Sequence, residues 1–380
     1  MKKKQQWVII VFFLLMIFGF TFAGLVKPDT DFSEKENRVL AKMPEVDLED
    51  IFDGTFSADY ETYLTDQFFF RDSWIGIKTK TERLAGKQEI NDIYFADDGY
   101  LIEKHTGDFE TATAEQNVKT LSAFLEEQVN NYGADHVTAM IAPNAVSILK
   151  DKLPPFAVCV QEDEYLDEIV RSLPEGTFLD LRDVLEEHCE EYIYYRTDHH
   201  WTTLGARYAY DAWARKTALN ALPAQNYERE VLTDIFYGTV EAKVGYPVRA
   251  DVIERWNPKT EVPYTLSYNH KTEEVKDSLY EESSLGTRDK YAVFFGGNQP
   301  LTEIKTQAGT GRRLLVIKDS YAHCFVPFAV QDFDEISMID LRYFNESLKE
   351  YMENNDFSDI LFLYNASGFA QDSAVVKLGN

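Results

Sequence analysis

The sequence has few cysteines and a deficit of basic residues. Three cysteines in 380 residues, Cys159, Cys189 and Cys324, are too scattered for a disulfide scaffold or a zinc knuckle, although one pair could form a bridge. Lysine and arginine number 38 against 65 acidic residues, which gives a formal net charge of -27. Because such a charge repels phosphate backbones, we expect no nucleic-acid partner. Internal repeats and low-complexity tracts are also missing.

Only one long hydrophobic run occurs, from Trp7 to Val26, directly after the basic MKKK start. This run is long enough for a helix to cross ~30 Å of hydrocarbon, and the lysines before it predict a cytoplasmic N-terminus. We interpret residues 1–26 as a retained signal anchor, because the run exceeds the ~7 to 15 residue core of a cleaved signal. A cleaved signal is the alternative, since Thr21-Phe22-Ala23 is a small-x-small site. Both interpretations place the rest of the chain outside the cytoplasm.

The remaining chain divides by composition into an arm and a larger domain. Residues 27–85 are polar and acidic with amphipathic helical spacing, which predicts a membrane-proximal arm of one or two helices. Strand and helix patterns alternate over residues 86–380, which predicts an α/β fold with a parallel sheet. Residues 222–310 are rich in Gly, Pro and Tyr, and we expect an insertion lying over one edge of the sheet.

Five short apolar runs are the predicted strands of this sheet. They are HVTAMIAP (136–143), TFLDL (177–181), RRLLVIKDS (312–320), EISMIDLRYF (335–344) and DILFLYN (359–365). A helix-like segment, SYAHCFVPFAVQDF, begins at Ser320, and Pro327 within it predicts a kink or an early end.

The segment TDHHWTT, residues 197–203, concentrates candidate catalytic groups. Asp198 and His200 are two positions apart, a spacing that puts both side chains on one face of extended backbone. An aspartate beside an imidazole holds its tautomer and stabilises the imidazolium, as in a Ser-His-Asp triad. His199 would then point to the other face and have a structural role.

A metal site is the alternative interpretation of these histidines. Such a site needs three or four ligands, and the adjacent His199 and His200 cannot comfortably share one ion. No HxxxH, HExxH or DxD partner lies nearby, and only His188 and Cys189 are local candidates. We therefore expect no metal.

A triad also needs a nucleophile, and the context of four Asp-Ser dipeptides selects Ser320. Only Ser320 follows a continuous apolar strand and precedes a helix-like segment, the arrangement that exposes a nucleophile at the carboxyl end of a parallel sheet. Ser278, although also preceded by Lys-Asp, lies in a polar run. A helix starting at Ser320 would direct free N–H groups at an oxyanion. Ser320 alone could simply cap a helix, but together with Asp198 and His200 it favours catalysis.

Five segments in order along the chain are FSEKENRVLAKMP (32–44), DQFFFRDSW (66–74), YYRTDHHWT (194–202), FFGGNQP (294–300) and LLVIKDSYAHCFVPF (314–328). Together they resemble the bacterial DHHW protein family, which is similar to the SGNH-hydrolase-like O-acetyltransferases of alginate and other exopolysaccharides. The resemblance implies a circularly permuted SGNH-like fold, with the Asp-x-His pair before the serine in the chain. It also implies Ser320 as nucleophile, His200 as general base and Asp198 as its orienting partner.

Donors for an oxyanion and contacts to substrate are less defined by the sequence. The Ser320 backbone N–H is the first candidate, Asn298 is a side-chain candidate, and Asn144 and Asn365 are weaker ones. Asparagines at such positions are also typical of turns and caps. Arg342 could neutralise a carboxylate or hold a sugar, but it could equally form a surface salt bridge.

The resemblance implies an extracytoplasmic O-acetyltransferase that acts on a cell-surface or exported polysaccharide. No coenzyme A signature is visible, so we expect no cofactor. The family implies that a membrane-bound acyltransferase partner delivers the acetyl group. Two alternatives remain open: a carbohydrate acetyl-esterase with the same triad, and a noncatalytic glycan-binding or scaffold protein of an export complex, for which the aromatic content of 14% could supply a sugar groove.

Overall fold

Two compact units make up the chain. The computed structural model describes residues 3–33, 38–246, 248–271 and 273–379, so part of the segment FSEKENRVLAKMP, residues 34–37, lies outside the described residues. The first unit comprises Met1–Lys87 with Ala242–Pro247, and the second comprises Gln88–Glu241 with Val248–Asn380. The expected division at residues 26, 85 and 222–310 remains a prediction.

The first unit is mainly helical. Its elements are α1 (Lys3–Val26), β1 (Phe32–Ser33), β2 (Arg38–Val39), α2 (Leu48–Asp53), α3 (Thr55–Asp66) and α4 (Arg71–Leu84). The apolar segment Lys4–Gly24 of α1 is long enough to cross a membrane, which fits a signal anchor. α3 and α4 are separate helices because Phe70, which precedes α4, has a left-handed backbone with φ 58°.

The second unit contains most of the strands of the chain. They are β3 (Glu89–Ile90), β4 (Ile93–Phe95), β5 (Leu101–Glu103), β6 (Val137–Ala142), β7 (Tyr227–Phe236), β8 (Asp251–Pro258), β9 (Tyr264–Tyr268), β10 (Leu301–Thr306), β11 (Arg313–Lys318), β12 (Glu335–Ile339) and β13 (Asp359–Asn365). Its helices are α5 (Ala112–Tyr132), α6 (Ala145–Ile148), α7 (Val160–Ser172), α8 (Arg182–Glu186), α9 (Thr203–Lys216), α11 (Val326–Ala329), α12 (Leu348–Glu353) and α13 (Ala366–Gln371). A further helix, α10 (Thr239–Val244), spans the boundary between the units.

A six-stranded sheet in the order β6-β13-β11-β12-β10-β9 forms the centre of the second unit. β6, β13, β11 and β12 are mutually parallel, as predicted. β10 and β9 continue the sheet in antiparallel orientation, so the sheet as a whole is mixed. Residues 222–310 supply both of these strands. Buried side chains such as Leu266 and Ile304 alternate along them with more exposed ones, as antiparallel strands allow.

Two other predicted elements are shorter than expected. The segment TFLDL pairs with β6 only at Phe178, opposite Ala139, and forms no strand. The helix-like segment after β11 is a 3₁₀ turn, Ser320–His323, followed by the four-residue α11. Pro327 lies in the first turn of α11, where its missing N–H costs nothing.

Alternate residues of the parallel strands belong to two apolar cores, one on each face of the sheet. On β13, for example, Leu361 and Leu363 pack in one core and Ile360 and Phe362 in the other. Side chains of α6, α8, α9 and α11 complete the first core, and those of α5, α7, α12 and α13 complete the second. The buried sheet fixes the carboxyl end of β11, where Ser320 lies.

Candidate active site

Asp198, His200 and Ser320 form a continuous chain of short contacts. Nδ1 of His200 lies 2.5 Å from Oδ1 of Asp198, and its Nε2 lies 2.7 Å from Oγ of Ser320. Asp198 and His200 are each 5% exposed, whereas Ser320 is half-buried. The structure thus brings together the three residues that the sequence singled out, although 120 positions separate His200 from Ser320.

A tight bend places Asp198 against His200. The N–H of His200 donates to Oδ1 of Asp198 over 3.1 Å, which closes an Asx turn. The N–H of Tyr195 donates to the carbonyl of His200 over 3.1 Å, so the bend is held by the chain that precedes it. Residues 198–200 are therefore not extended, and the contact comes from this turn and not from a shared strand face.

The second carboxylate oxygen of Asp198, Oδ2, accepts hydrogen bonds from Thr239 at the start of α10. Oδ2 accepts from the N–H of Thr239 over 3.0 Å and from its hydroxyl over 3.3 Å. Burial by itself would raise the pKa of Asp198, but the two neighbouring histidines and these hydrogen bonds outweigh it and lower that pKa below its ordinary value. Asp198 is consequently a carboxylate near neutral pH, as a partner of an imidazolium must be.

Gly238 allows this loop to approach Asp198 closely. A Cβ at position 238 would lie 2.2 Å from both Cβ and Oδ2 of Asp198. Any other residue would therefore displace the aspartate or the loop. Sequence reasoning missed Gly238 and Thr239, because YGT in a Gly-rich region resembles an ordinary turn.

Asp251 is a second buried carboxylate that supports the loop carrying Asp198. Its Oδ1 accepts from the N–H of Arg196 over 2.7 Å, and its Oδ2 accepts from the N–H of Thr197 over 2.8 Å. The hydroxyl of Tyr192 also donates to Oδ1, over 2.5 Å. No local pattern in the sequence marks this role, since Asp251 lies 54 positions from Thr197 in a region interpreted as an insertion.

Asp319 orients the turn that presents Ser320. Its Oδ1 accepts from the N–H of Tyr321 over 2.8 Å, and its Oδ2 accepts from the backbone and side-chain nitrogens of Asn365 over 2.8 and 2.7 Å. The side-chain amide of Asn144 donates to Oδ1 of Asn365 over 3.3 Å. Asn144 and Asn365 thus belong to the hydrogen-bond network that supports the turn at Ser320.

Among the described residues, the Ser320 N–H has no acceptor, which leaves it available to an oxyanion.

Tyr291 is a further residue that the sequence did not indicate. Its ring stacks on the imidazole of His200, with centroids 3.9 Å apart and planes at 14°. Its hydroxyl donates to the carbonyl of Ser320 over 3.2 Å. A further hydrogen bond connects the two segments, because the backbone carbonyl of Tyr321 accepts from the indole N–H of Trp201 over 2.9 Å. These contacts restrict the movement of the His200 and Ser320 segments relative to each other.

The two substrate-binding candidates of the sequence lie apart from these contacts. Asn298 is exposed, and its side chain forms no hydrogen bond within the described residues. Arg342 is held by Asp340, with Nε 2.9 Å from Oδ1 and a terminal nitrogen 2.7 Å from Oδ2. Asp340 also accepts from the buried Lys318 over 3.3 Å, and Lys318 lies 2.8 Å from Nε2 of His323. A role of Asn298 or Arg342 in substrate binding remains a prediction.

Asp198, His199 and His200 also satisfy a simple distance criterion for a metal site. Each offers one ligand atom, and the three atoms lie within 4.8 Å of one another. Both nitrogens of His200 are engaged, however, one by Asp198 and one by Ser320. Nδ1 of His199 lies 2.8 Å from the hydroxyl of Thr239. These partners suit a proton-transfer site better than a three-ligand ion site.

Comparison with known proteins identifies the family of this chain. The family model described as DHHW protein matches residues 127–339. This chain belongs to the DHHW protein family. A search of curated proteins gave no match to this chain.

Two solved structures with TM-scores above 0.6 share the fold of this chain. A DHHW family protein from Eubacterium siraeum is 26% identical, with a TM-score of 0.64 over 77% of this chain and 96% of that one. PatB1 of Bacillus cereus, solved with a sulfonyl adduct, is 23% identical, with a TM-score of 0.61 over 76% and 99%. The O-acetyltransferase domain of AlgJ from Pseudomonas putida is less similar, at 14% identity and a TM-score of 0.44 over 76% and 99%. The expected α/β fold is confirmed.

Proposed function

We propose that this chain is an O-acetyltransferase that modifies a cell-surface or exported polysaccharide outside the cytoplasm. The observation that carries the proposal is the relay from Asp198 through His200 to Ser320, with contacts of 2.5 and 2.7 Å. A half-buried serine hydroxyl against an imidazole, whose other nitrogen meets a carboxylate, is the arrangement that activates serine for acyl transfer.

The first half-reaction forms an acetyl ester on the enzyme. Oγ of Ser320 attacks the carbonyl carbon of an acetyl donor while Nε2 of His200 takes the hydroxyl proton. Asp198 stabilises the imidazolium, and the Ser320 N–H faces the oxyanion. When the tetrahedral intermediate collapses, the bond to the donor oxygen breaks, and His200 gives that oxygen the proton. Acetyl-Ser320 and the free donor alcohol result.

The second half-reaction passes the acetyl group to the sugar. His200 removes the proton of a sugar hydroxyl, whose oxygen attacks the carbonyl of acetyl-Ser320. The serine leaves with the proton from His200, and the enzyme returns to its starting state. This chain's own residues supply every step, so the cycle needs no cofactor. Water in place of the sugar would make the same site an acetyl-esterase.

The proposed setting is the outer face of the cell membrane. The apolar segment Lys4–Gly24 would span the membrane, with the lysines before it on the cytoplasmic side. Acetyl groups made in the cytoplasm would then reach Ser320 through a membrane-bound acyltransferase, as the family resemblance implies. The acceptor polysaccharide would bind from outside.

Acetyl transfer can be measured with an activated acetyl ester, with and without oligosaccharide acceptors. We expect the Ser320→Ala variant to lose both transfer and hydrolysis. Ser278→Ala is a matched control, because Ser278 follows the same Lys-Asp pair, and its hydroxyl donates to the carbonyl of Tyr280 over 3.1 Å. Activity that survives Ser320→Ala would refute the triad. Hydrolysis without transfer to any acceptor would support the esterase instead.

Covalent labelling gives a second readout that does not depend on the donor. A sulfonyl fluoride should modify Ser320, and peptide mass spectrometry would identify the site. The His200→Ala variant should be labelled much more slowly, because the serine loses its base. Glycan binding by a chain whose Ser320 resists labelling would favour the noncatalytic scaffold.

A further inference from the structure

Large apolar side chains are exposed where α3 turns into α4. Phe68 is 44% exposed, Phe70 65%, Trp74 39% and Ile77 53%. We refer to these four residues as the α3–α4 apolar surface. Exposed apolar residues are common singly, but a group on one corner marks a contact surface.

This surface packs on the membrane-length helix α1. The ring of Phe20 stacks on Phe68 with centroids 5.8 Å apart, and meets Trp74 edge-on at 5.6 Å. Phe20 belongs to the apolar segment Lys4–Gly24, about 6 Å from its C-terminal end at 1.5 Å per residue. Two members of the α3–α4 apolar surface therefore touch a side chain inside the segment that would span the bilayer.

Hydrogen bonds hold the α3–α4 turn at the outer end of α1. The side-chain amide of Gln67 donates to the carbonyls of Thr30 and Ala41, each over 3.0 Å, and its oxygen accepts from the N–H of Thr30 over 3.0 Å. Lys27, the residue after α1, donates to the carbonyl of Gln67 over 3.4 Å. The turn cannot swing away from the end of α1 without breaking these bonds.

The backbone of Phe70, a member of the α3–α4 apolar surface, has an unfavourable conformation. Phe70 has φ 58°, a left-handed conformation that glycine or asparagine adopts at lower cost. Its ring is mostly exposed, so burial in the core does not offset this strain. Phe70 therefore adds an exposed aromatic ring to the α3–α4 apolar surface.

We propose that the α3–α4 apolar surface inserts into the outer-leaflet interface of the membrane that α1 crosses. Its aromatic rings would lie at the boundary between headgroups and acyl chains, where Trp and Phe are favoured, and Lys27 would reach the headgroups. The inference rests on the retained anchor of the proposed setting and is independent of the acetyl-transfer chemistry. Lipid is the occupant because the surface is continuous with the membrane segment itself.

Tryptophan quenching in the full-length chain tests the insertion. The chain has five tryptophans, and Trp201, Trp213 and Trp256 are no more than 4% exposed. The chain is reconstituted in phosphatidylcholine vesicles that contain lipids brominated at shallow or deep acyl positions. The emission of Trp74 is the difference between the Trp7→Phe variant and the variant that also carries Trp74→Phe. The double variant keeps only the three buried tryptophans, whose emission the bromines should leave unchanged.

We expect shallow bromines to quench Trp74 strongly and deep bromines to quench it weakly. Quenching of Trp7 in the Trp74→Phe variant reports separately that α1 is in the bilayer. If Trp7 is quenched and Trp74 is not, the interface insertion is refuted and the anchor stands. If neither is quenched, the anchor and the insertion both fail, whereas the acetyl-transfer assay is unaffected.

A matched pair of asparagine variants examines Phe70 itself. Phe156, with φ 68° and 101% exposure, has the same conformation and an exposed ring but lies in the second unit. Because asparagine tolerates a left-handed backbone, neither Phe70→Asn nor Phe156→Asn should unfold the chain. Phe70→Asn should weaken the quenching of Trp74, and Phe156→Asn should leave it unchanged. Equal quenching in both variants would remove Phe70 from the lipid contact.

Discussion

The ring of Tyr291 lies flat on the imidazole of His200, with centroids 3.9 Å apart and an interplanar angle of 14°. The same side chain donates a hydrogen bond to the Ser320 carbonyl over 3.2 Å. One buried tyrosine thus contacts both His200 and Ser320. The stack restricts rotation of the imidazole, which in the proposed mechanism must keep Nε2 directed at Oγ through both half-reactions.

Two substitutions of Tyr291 separate the stack from the hydrogen bond. Tyr291→Phe keeps the ring, and we expect a small loss of kcat. Tyr291→Leu removes the stack, whose contribution of roughly 0.5–1.5 kcal/mol corresponds to a roughly two- to tenfold lower kcat. Steady-state kinetics on an acetyl ester would show the difference, and thermal unfolding would identify any general loss of stability. Equal effects of both variants would contradict a role for the stack.

Replacement of Asp198 by asparagine should impair the base without removing it. The amide can present its N–H to Nδ1, which favours the wrong tautomer of His200 and leaves the imidazolium without a counter-charge. We expect kcat to fall by roughly 10²- to 10⁴-fold with little change in KM. Labelling of Ser320 by a sulfonyl fluoride should slow in parallel. Asp277→Asn, beside Ser278, is the control and should leave both rates intact.

Gly238→Ala tests the close approach of the loop to Asp198. The added Cβ would lie 2.2 Å from Asp198, so the aspartate must move from His200. We expect a large loss of kcat and a destabilisation of roughly 1–3 kcal/mol from overpacking. Gly286→Ala is the matched control, because nothing lies within 4 Å of its added Cβ. Unchanged activity in Gly238→Ala would show that the loop can relax away from Asp198.

Glu162 should make the stability of the chain decrease as pH rises. Its carboxyl is buried and accepts from the N–H of Asn144 over 2.5 Å, and burial raises its pKa from 4.5 to about 7. Between these values the native state holds a proton that the unfolded state has lost. The free energy of unfolding therefore falls with pH, by at most roughly 3 kcal/mol above pH 7.

The Glu162→Gln variant isolates this effect, because glutamine mimics the protonated carboxyl. Urea unfolding near pH 5 should give similar stabilities for both chains, whereas near pH 8 the variant should be more stable. Burial alone would lower the pKa of His105, but neighbouring carboxylates raise it, so loss of its proton also lowers the free energy of unfolding as pH rises. The variant should therefore keep part of the decrease in stability with pH. A variant less stable than the wild-type chain at pH 8 would contradict a protonated Glu162.

Chelation separates the triad from a metal centre built on the same residues. Because both nitrogens of His200 are engaged by Asp198 and Ser320, we expect prolonged treatment with EDTA to leave the rate of acetyl-ester turnover unchanged. Added Zn²⁺ should inhibit, since it competes for the imidazole. An activity lost with EDTA and restored by Zn²⁺ would instead assign the Asp198–His199–His200 cluster to a metal.

Local sequence patterns were sufficient to predict several of the buried strands. The apolar runs at residues 137–142, 313–318 and 359–365 are buried strands, because a strand covered on both faces needs continuous apolar residues. The position of Ser320 directly after β11 follows from the same pattern. The mixed order of the sheet did not follow, because strand pairing depends on contacts between distant segments.

The sequence by itself determined which groups could do chemistry: an aspartate and a histidine two positions apart, and a serine at the end of an apolar strand. Only the tertiary structure decided that these groups meet. The 2.7 Å contact of His200 with Ser320 spans 120 positions, and the support of Asp198 comes from Gly238 and Thr239 on a distant loop. Such contacts depend on how the packed elements close on one another, which local propensity does not encode.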